Sequence, residues 1–208
     1  MKTTRQQWLD AGRTLLVRDG AAGVKIDRLA RDLAVTRGGF YWHFKNRQHF
    51  LDTLLEDWVH PDRDPLTHRL ERIGDQEDDD GDELAPFLRV ILTLIRERSY
   101  DPALDSAMRD WAKSSAKVRA AVREVDDRRI RALTRAFQMA GYEGEEAFIR
   151  ARIFYFHQVG YYAIHVDETT EQRLRFAPVY MSILVGKKLK KKHLATLQKE
   201  LSRTVEAE

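Results

Sequence analysis

Residues 24–50 read VKIDRLARDLAVTRGGFYWHFKNRQHF and contain two short apolar patterns separated by a break. The first pattern predicts a helix of about two turns, with apolar residues at i, i+3, i+4 and i+7: Ile26, Leu29, Ala30 and Leu33. The second pattern places Phe40 and Phe44 four residues apart, and a helix would point the large side chains between them outward. Two short helices joined by a tight turn are the pattern of a helix-turn-helix.

Further helices are predicted on both sides of this stretch. Residues 4–19 read as an earlier helix with Thr4 as its N-cap. Asn46 opens a later helix, whose apolar positions are Phe50, Leu51, Leu54, Leu55 and Trp58. Thr36 is a suitable N-cap for the second helix of the pair, and Asp27 complements the helix dipole in the first turn of the other.

The composition is that of a soluble, helix-rich chain of 208 residues, with 43% hydrophobic and 33% charged residues. The absence of cysteine excludes disulfides and thiolate metal sites, and it fits a reducing cytoplasm. The N-terminus lacks a signal-peptide core, and no apolar run approaches the roughly 18 residues that a membrane span needs. We therefore expect a cytoplasmic protein that does not enter a membrane, and we predict no cofactor and no metal site.

Positive charge is concentrated in the first 50 residues. They hold ten Lys or Arg against four Asp, a net charge of +6, whereas the remaining residues hold 26 basic against 29 acidic residues, a net charge of −3. A basic region around a helix-turn-helix is typical of proteins that bind a phosphate backbone. The alternative is a basic surface without a specific partner.

Gly38 and Gly39 lie inside the short second helix of the pair, where each glycine costs about 1 kcal/mol of helix propensity. Glycine is used where a partner must approach the backbone closely, and the major groove of DNA is such a partner. The alternative is a frayed, loosely formed helix.

These residues resemble the TetR family of transcriptional regulators. The resemblance rests on four segments within residues 4–59: Ile26–Ala30, Ala34–Thr36, Phe40–Phe44 and Asn46-Arg47. Three positions depart from the family pattern, which has glycine at Ala34, lysine at Arg47, and threonine or serine at Lys25. Lys25 and Arg47 keep a donor for phosphate, whereas Ala34 must tolerate the dihedral angles of the turn.

The resemblance implies a set of DNA contacts. Arg37 would bind guanine through two hydrogen bonds, beside Gly38 and Gly39 at the base edges. Tyr41 and His43 would hydrogen-bond phosphates, and Lys25 and Arg47 would contact phosphates near helix N-termini. Thr36 and Trp42 would support the base contacts. The full set is Lys25, Thr36, Arg37, Gly38, Gly39, Tyr41, Trp42, His43 and Arg47. Packing on a neighbouring helix is the alternative for Tyr41 and Trp42, while Phe40 and Phe44 are predicted to be core residues.

The second half reads as a series of helices, so that the whole chain is predicted to be all-α, with a DNA-binding domain at 1–60 and a helical-bundle ligand-binding and dimerisation domain at 61–208. Further helices are predicted at 64–73, 84–98, 102–113, 116–140, 145–166, and from Thr170 to beyond Lys192. The acidic run 75–83 is predicted to be a solvated loop. It is not a calcium loop, because Phe87 occupies the twelfth position. The basic run KKLKKK at 187–192 is predicted to be a solvated helix end.

Residues 145–190 carry apolar side chains on more than one helix face, as a helix between its own core and a partner requires. The resemblance implies a homodimer through the last two long helices, and the alternative is a monomer with a thick core. A small-molecule effector site is predicted from aromatic side chains mixed with polar groups: Tyr100, Met108, Trp111, Phe154, His157, Gln158 and Tyr161.

The leading hypothesis is therefore a homodimeric, ligand-responsive repressor of transcription that binds a palindromic double-stranded DNA operator. One alternative is a regulator without an effector, in which the second domain serves only for dimerisation. Another is an enzyme or small-molecule carrier that uses the helical domain. The sequence contains no nucleophile–base motif, paired-carboxylate signature or glycine-rich phosphate loop, which favours a role other than catalysis.

Overall fold

The computed structural model describes residues 3–60, 64, 82, 84, 85, 88, 101–164 and 166–205. All regular secondary structure in these residues is helical, which confirms the all-α prediction. The helices are α1 (Arg5–Gly23), α2 (Ile26–Asp32), α3 (Arg37–Tyr41), α4 (Arg47–Val59), α5 (Pro102–Ser114), α6 (Ala116–Met139), α7 (Gly144–Ala163), α8 (Thr170–Val185) and α9 (Lys191–Val205).

The chain forms two compact units. The first contains residues 1–63 and 101–125, and the second contains 64–100 and 126–208. In the first unit α5 packs against α1, so that Met108 is fully buried in the same core as Trp8. The predicted functional domains, 1–60 and 61–208, divide the chain differently, and that functional boundary stays a prediction.

An aromatic cluster forms the centre of the first unit. Phe40 and Phe44 are buried there, as predicted. The Trp8 and Phe40 rings meet edge to face at 5.5 Å between centroids, and the Phe44 and Phe50 rings do so at 4.8 Å. These contacts attach α3 to α1 and α4, so that a helix of five residues is held by its core side chains rather than by its own propensity.

Caps and breaks in the first unit follow the predicted signals. Thr4 and Gln7 form a capping box at the start of α1. Gly20 interrupts α1 with φ of +67°, at the predicted end of the regular helix. The side chain of Asn46 accepts a hydrogen bond from the His49 backbone N–H at the start of α4, and Asp101 caps α5 in the same manner.

Ala34 forms the turn between α2 and α3 in the left-handed region, with φ of +54°. Of the described residues, it is the one non-glycine residue with a positive φ. The fold therefore does impose unfavourable dihedral angles on the residue that replaces the family's glycine.

We expect Ala34→Gly to raise the free energy of unfolding by about 0.5–1 kcal/mol, because the left-handed cost of alanine exceeds the entropic cost of glycine. Urea unfolding measures this change. Ala22→Gly provides the matched control, since Ala22 lies exposed in α1 without a positive φ, and it should lower the free energy of unfolding. An equal loss of stability in both variants would contradict the assignment of strain to Ala34.

The second unit packs α6, α7 and α8 around a core that includes Phe137, Phe154 and Met181. Gly141, with φ of +85°, follows the end of α6 as predicted. The prediction of one long helix beyond Lys192 is wrong, because Gly186 adopts the left-handed conformation and ends α8. The Tyr142 hydroxyl donates to the Val185 carbonyl oxygen at 2.6 Å and satisfies that helix end.

The basic run 187–192 is a linker followed by the start of α9, so the prediction is correct that most of its lysines are solvated and wrong that the run ends the preceding helix. Lys187 Nζ donates to the Ala140 carbonyl oxygen at 2.6 Å and thereby caps the C-terminus of α6. Lys192 Nζ lies 2.6 Å from Asp82 Oδ2. Two of the lysines therefore make specific intramolecular contacts.

Asp82 corrects the prediction of a solvated loop at one position of the acidic run, because it is buried. Its Oδ2 lies 2.6 Å from His193 Nε2, and its Oδ1 accepts a hydrogen bond from the Leu84 backbone N–H. Burial alone would raise the pKa of Asp82, but hydrogen bonds from Lys192 and His193 hold this pKa below the usual range of aspartate.

Several predictions fall outside the described residues, namely the helix at 64–73 apart from Asp64, the rest of the acidic run, most of the helix at 84–98, and Tyr100. Among the helices that the structure does describe, none is long and apolar enough to cross a membrane.

Candidate nucleic-acid interface

The α2–α3 pair supplies the candidate interface. The inner faces of these helices carry the buried residues Leu29, Ala30 and Phe40, which fix the pair on α1 and α4. Thr36 occupies the N-cap position of α3, as predicted, but its side chain makes no capping hydrogen bond there. The packing of Phe40, and not a side-chain cap, therefore decides which face of α3 points outward.

The outer face of α3 is exposed and carries large side chains. Trp42 is 84% exposed and Tyr41 is 52% exposed, so neither side chain is buried against a neighbouring helix. Arg37 is exposed at the N-terminus of the same helix. Tyr41 and Trp42 thus place two large, solvent-accessible aromatic side chains on this face.

Gly38 lies exposed on this face and Gly39 is half-buried on the side of Trp8, and the fold does not require glycine at either position. Neither residue has a positive φ. A Cβ at Gly38 would lie 3.7 Å from Thr36 Oγ1, and one at Gly39 would lie 3.6 Å from Trp8 Cζ2. These are ordinary van der Waals distances, in contrast to Gly12, where a Cβ would lie 2.5 Å from Phe50 Cζ. The space beside these two glycines permits close approach of an external partner to α3.

Arg37 forms an ion pair with Asp27 of α2, with Nε 3.0 Å from Oδ1. The sequence predicts only a helix-dipole role for Asp27. It does not reveal the ion pair, because the two residues are ten positions apart and belong to different helices. Only the packing of α2 against α3 brings them together.

Arg47 has a different environment from the one predicted. Its Nε donates to the Val24 carbonyl oxygen at 2.7 Å, and its Nη2 donates to the Ala21 carbonyl oxygen at 2.5 Å. These carbonyls end α1, so the guanidinium acts as a C-terminal cap for that helix. The geometry thus gives Arg47 a structural role, whereas Lys25 is exposed at the start of α2.

We expect Arg47→Ala to lower the free energy of unfolding by about 1–2 kcal/mol, since it leaves half-buried carbonyls without a charged donor. Lys25→Ala should leave stability unchanged but reduce the salt slope of DNA binding by about one. Urea unfolding and binding titrations at several salt concentrations measure both effects. If Arg47→Ala leaves stability intact and reduces the salt slope, the phosphate contact first predicted for Arg47 is the correct role.

His43 is half-buried, and its Nε2 lies 2.8 Å from the Thr3 carbonyl oxygen. Because a carbonyl only accepts, Nε2 must carry the proton, and Nδ1 of the neutral ring is then an acceptor. A neutral His43 in this tautomer cannot donate to a phosphate through Nδ1. The contact to Thr3 instead connects the start of the chain to the end of α3.

The predicted effector residues divide between the two units. Met108 and Trp111 belong to the aromatic core of the first unit, where Met108 is fully buried. Phe154 is a core residue of the second unit, and the half-buried residues His157, Gln158 and Tyr161 lie on the same helix α7. The His157 ring lies 4.9 Å from the Tyr180 ring, and burial lowers the pKa of His157. In the part of the chain that the structure describes, no group of three acidic, histidine or cysteine side chains could hold a metal ion.

The second unit exposes two apolar stripes, one on each of α7 and α8. The residues of α7 lie on the helix face opposite its buried residues Ala147, Ala151 and Phe154. Large apolar side chains recur at three- and four-residue spacings along both helices: Ile149, Ile153 and Phe156 on α7, and Val179, Tyr180 and Ile183 on α8. Exposed apolar stripes of this kind are typical of surfaces that pack against a partner.

The fold and the exposed face of α3 define a helix-turn-helix protein. Residues 9–54 match the sequence model of the family described as bacterial regulatory proteins, tetR family. This match concerns the segment that contains α1 to α4, and it shows that this segment is similar to the TetR family.

Known regulators resemble part of the chain. The chain is 38% identical over 60 residues to TtgW of Pseudomonas putida, described as an uncharacterized HTH-type transcriptional regulator, and the match covers 29% of this chain and 45% of TtgW. It is 30% identical over 98 residues to the HTH-type transcriptional regulator TtgR of the same organism, and this match covers 47% of this chain and 44% of TtgR. The chain thus matches less than half the length of these relatives.

Solved structures share the fold over nearly the whole chain. A transcriptional regulator from Rhodococcus sp. Rha1 has a TM-score of 0.57 at 14% identity, with 99% of this chain and 97% of that chain covered. SmeT, the repressor of the Stenotrophomonas maltophilia multidrug efflux pump SmeDEF, has a TM-score of 0.53 at 24% identity, with 99% and 90% covered. At these identities the likeness concerns the fold alone.

Proposed function

We propose that this protein is a transcriptional regulator, a homodimeric repressor that binds a palindromic operator in double-stranded DNA and responds to a small-molecule effector. The observation that carries the proposal is the outer face of α3. It combines exposed Arg37, Tyr41 and Trp42 with two glycines whose positions would accept a Cβ without a clash. A helix that is bare at its centre and charged or aromatic around it fits the major groove of DNA.

Charge supports the same surface. The excess of six positive charges in residues 1–50 attracts a polyanion, and Lys25 is exposed where the N-terminus of α2 would meet a phosphate. The names of the relatives favour regulation over catalysis, and we infer that the protein is not an enzyme.

The stripes on α7 and α8 support the homodimer. Two helices from each copy would form a four-helix interface, and a two-fold axis places the same stripe on both sides. Two recognition helices held at a fixed distance would read half-sites separated by about one turn of DNA or a multiple of it.

The effector is supported by the half-buried residues His157 and Tyr161 of α7 beside the exposed Tyr180 of α8, which together combine aromatic surface with polar groups. A ligand bound there would favour one spacing of the recognition helices and thereby change the affinity for the operator. A compound that binds should raise the melting temperature and release the operator. If compounds raise the melting temperature but leave operator binding unchanged, the protein acts without effector control.

Selection from random duplexes tests the function. The full-length protein should enrich one palindrome, and its affinity for that palindrome should fall steeply with salt. Equal recovery of all sequences would refute the proposal. A chain with Lys25→Ala and Arg37→Ala provides the control, since it should fold but enrich no sequence.

A further inference from the structure

The ion pair between Asp27 and Arg37 places a carboxylate on the face that we propose binds DNA. Asp27 comes from the first turn of α2, and Arg37 is the first residue of α3. Their side chains are 63% and 59% exposed, with 3.0 Å between Oδ1 and Nε. Negative charge on such a face opposes a polyanion, so its presence needs a physical reason.

Stability does not supply that reason. An ion pair between exposed side chains contributes little to folding, because water and salt screen both charges. The dipole of α2 would be served equally by an acidic residue elsewhere in its first turn. Asp27, however, lies where it contacts the one arginine of α3.

The geometry of the guanidinium gives a better explanation. Asp27 Oδ1 lies 3.0 Å from Nε of Arg37, and a guanidinium paired through Nε can still present Nη1 and Nη2 to another acceptor. This terminal pair can donate two hydrogen bonds to O6 and N7 of guanine. The adjacent negative charge also weakens the attraction of Arg37 for phosphates, so the side chain gains less from contacts that carry no sequence information.

We propose that Asp27 is a specificity-determining residue, which positions Arg37 for guanine and discourages it from binding the phosphate backbone. This inference rests on the proposed DNA-binding function. It predicts that removal of the Asp27 carboxylate raises the affinity for DNA that lacks the preferred guanine and lowers the specificity for that guanine.

A double-mutant cycle tests the inference, with fluorescence anisotropy on two duplexes at one salt concentration. One duplex is the palindrome that selection identifies, and the other replaces in each half-site the guanine whose preference is lost in Arg37→Ala. Arg37→Ala should lower the affinity ratio between them about 10- to 100-fold. Asp27→Ala should lower this ratio about 5-fold and raise the affinity for the substituted duplex about 2-fold, because a negative charge is removed. The affinity ratio of the double variant should match that of Arg37→Ala alone.

Asp32→Ala is the matched control. Asp32 belongs to the same helix but lies near Arg18, with 3.7 Å between Oδ2 and Nη2. Its removal should raise the affinity for both duplexes and leave the ratio unchanged, which separates a change of net charge from a change of specificity. Circular dichroism should report folded protein for every variant.

The possible results distinguish a failure of the proposed function from a failure of the inference about Asp27. If the wild-type chain prefers no duplex, the proposed function is wrong and the inference falls with it. If the wild-type chain prefers its palindrome but Asp27→Ala keeps the ratio, or if the effects of Asp27→Ala and Arg37→Ala are additive, only the inference is overturned. In the free protein, the Arg37 Nε–Hε resonance should exchange faster with water in Asp27→Ala than in Asp32→Ala. Equal exchange would overturn the positioning role.

Discussion

Gly38→Leu should abolish recognition of the operator while leaving the first unit more stable than before. Leucine forms helix more readily than glycine by nearly 1 kcal/mol, and at Gly38 its Cβ would meet only Thr36 Oγ1 at 3.7 Å. The free energy of unfolding should therefore rise by about 0.5–1 kcal/mol. The same side chain would occupy the space in which base edges must approach α3, and affinity should fall at least about 100-fold.

A size series makes this result specific. Gly38→Ala should stabilise α3 to a similar degree and weaken binding less than leucine, because a single methyl group intrudes less. Thr14→Leu is the matched control, since it adds the same side chain at an exposed position of α1 outside the predicted contacts. Urea unfolding and fluorescence anisotropy supply the two measurements. A Gly38→Leu protein that binds the operator as tightly as wild type would remove the main support for α3 as the reading helix.

Gly38 and Gly39 illustrate which features apolar periodicity in the sequence predicts and which it does not. Spacing predicted the helix-turn-helix and the burial of Phe40 and Phe44, because local apolar periodicity is encoded in neighbouring residues. It left open whether Gly38 and Gly39 are glycine for the fold or for a partner. That question depends on the empty space beside each Cα, which only the packed structure defines.

Long-range polar contacts were the part that the sequence could not predict. Arg47 was expected to bind phosphate, yet its guanidinium caps α1 through Val24 and Ala21, more than 20 residues away. Asp82 was expected to be solvated within an acidic run, yet it contacts His193 at a separation of 111 residues. Charged side chains accept many partners equally well, so their pairing follows from the tertiary fold and not from their own spacing.

The apolar stripes on α7 and α8 were only partly predictable from the sequence. An apolar pattern on several faces of residues 145–190 predicted a partner surface, and the structure identifies which side chains remain exposed after the second unit packs. Ile153 and Ile183 are 53% and 71% exposed, whereas Phe154 on the opposite face of α7 is buried. Periodicity alone could not separate these faces, because both are apolar.

Ile153→Glu should convert the proposed homodimer into a monomer. In a two-fold interface each substitution occurs twice, and both carboxylates would be placed against the apolar stripe of the other copy. A buried charge without a partner costs several kcal/mol, so the dimer dissociation constant should rise at least about 1,000-fold. In the monomer the introduced carboxylate would remain exposed to water, so the fold of the second unit should persist.

Sedimentation velocity measures the change in mass, and Thr196→Glu serves as the control because it adds one negative charge at an exposed position of α9. The monomer should also lose most of its affinity for a duplex with two half-sites, while it keeps the weak affinity for a single half-site, because linking two recognition helices raises the effective concentration of the second. Ile183→Glu should reproduce this behaviour from the other stripe. If Ile153→Glu remains a dimer with unchanged operator affinity, α7 is not part of the interface, and the two half-sites must be held together by another surface of the chain.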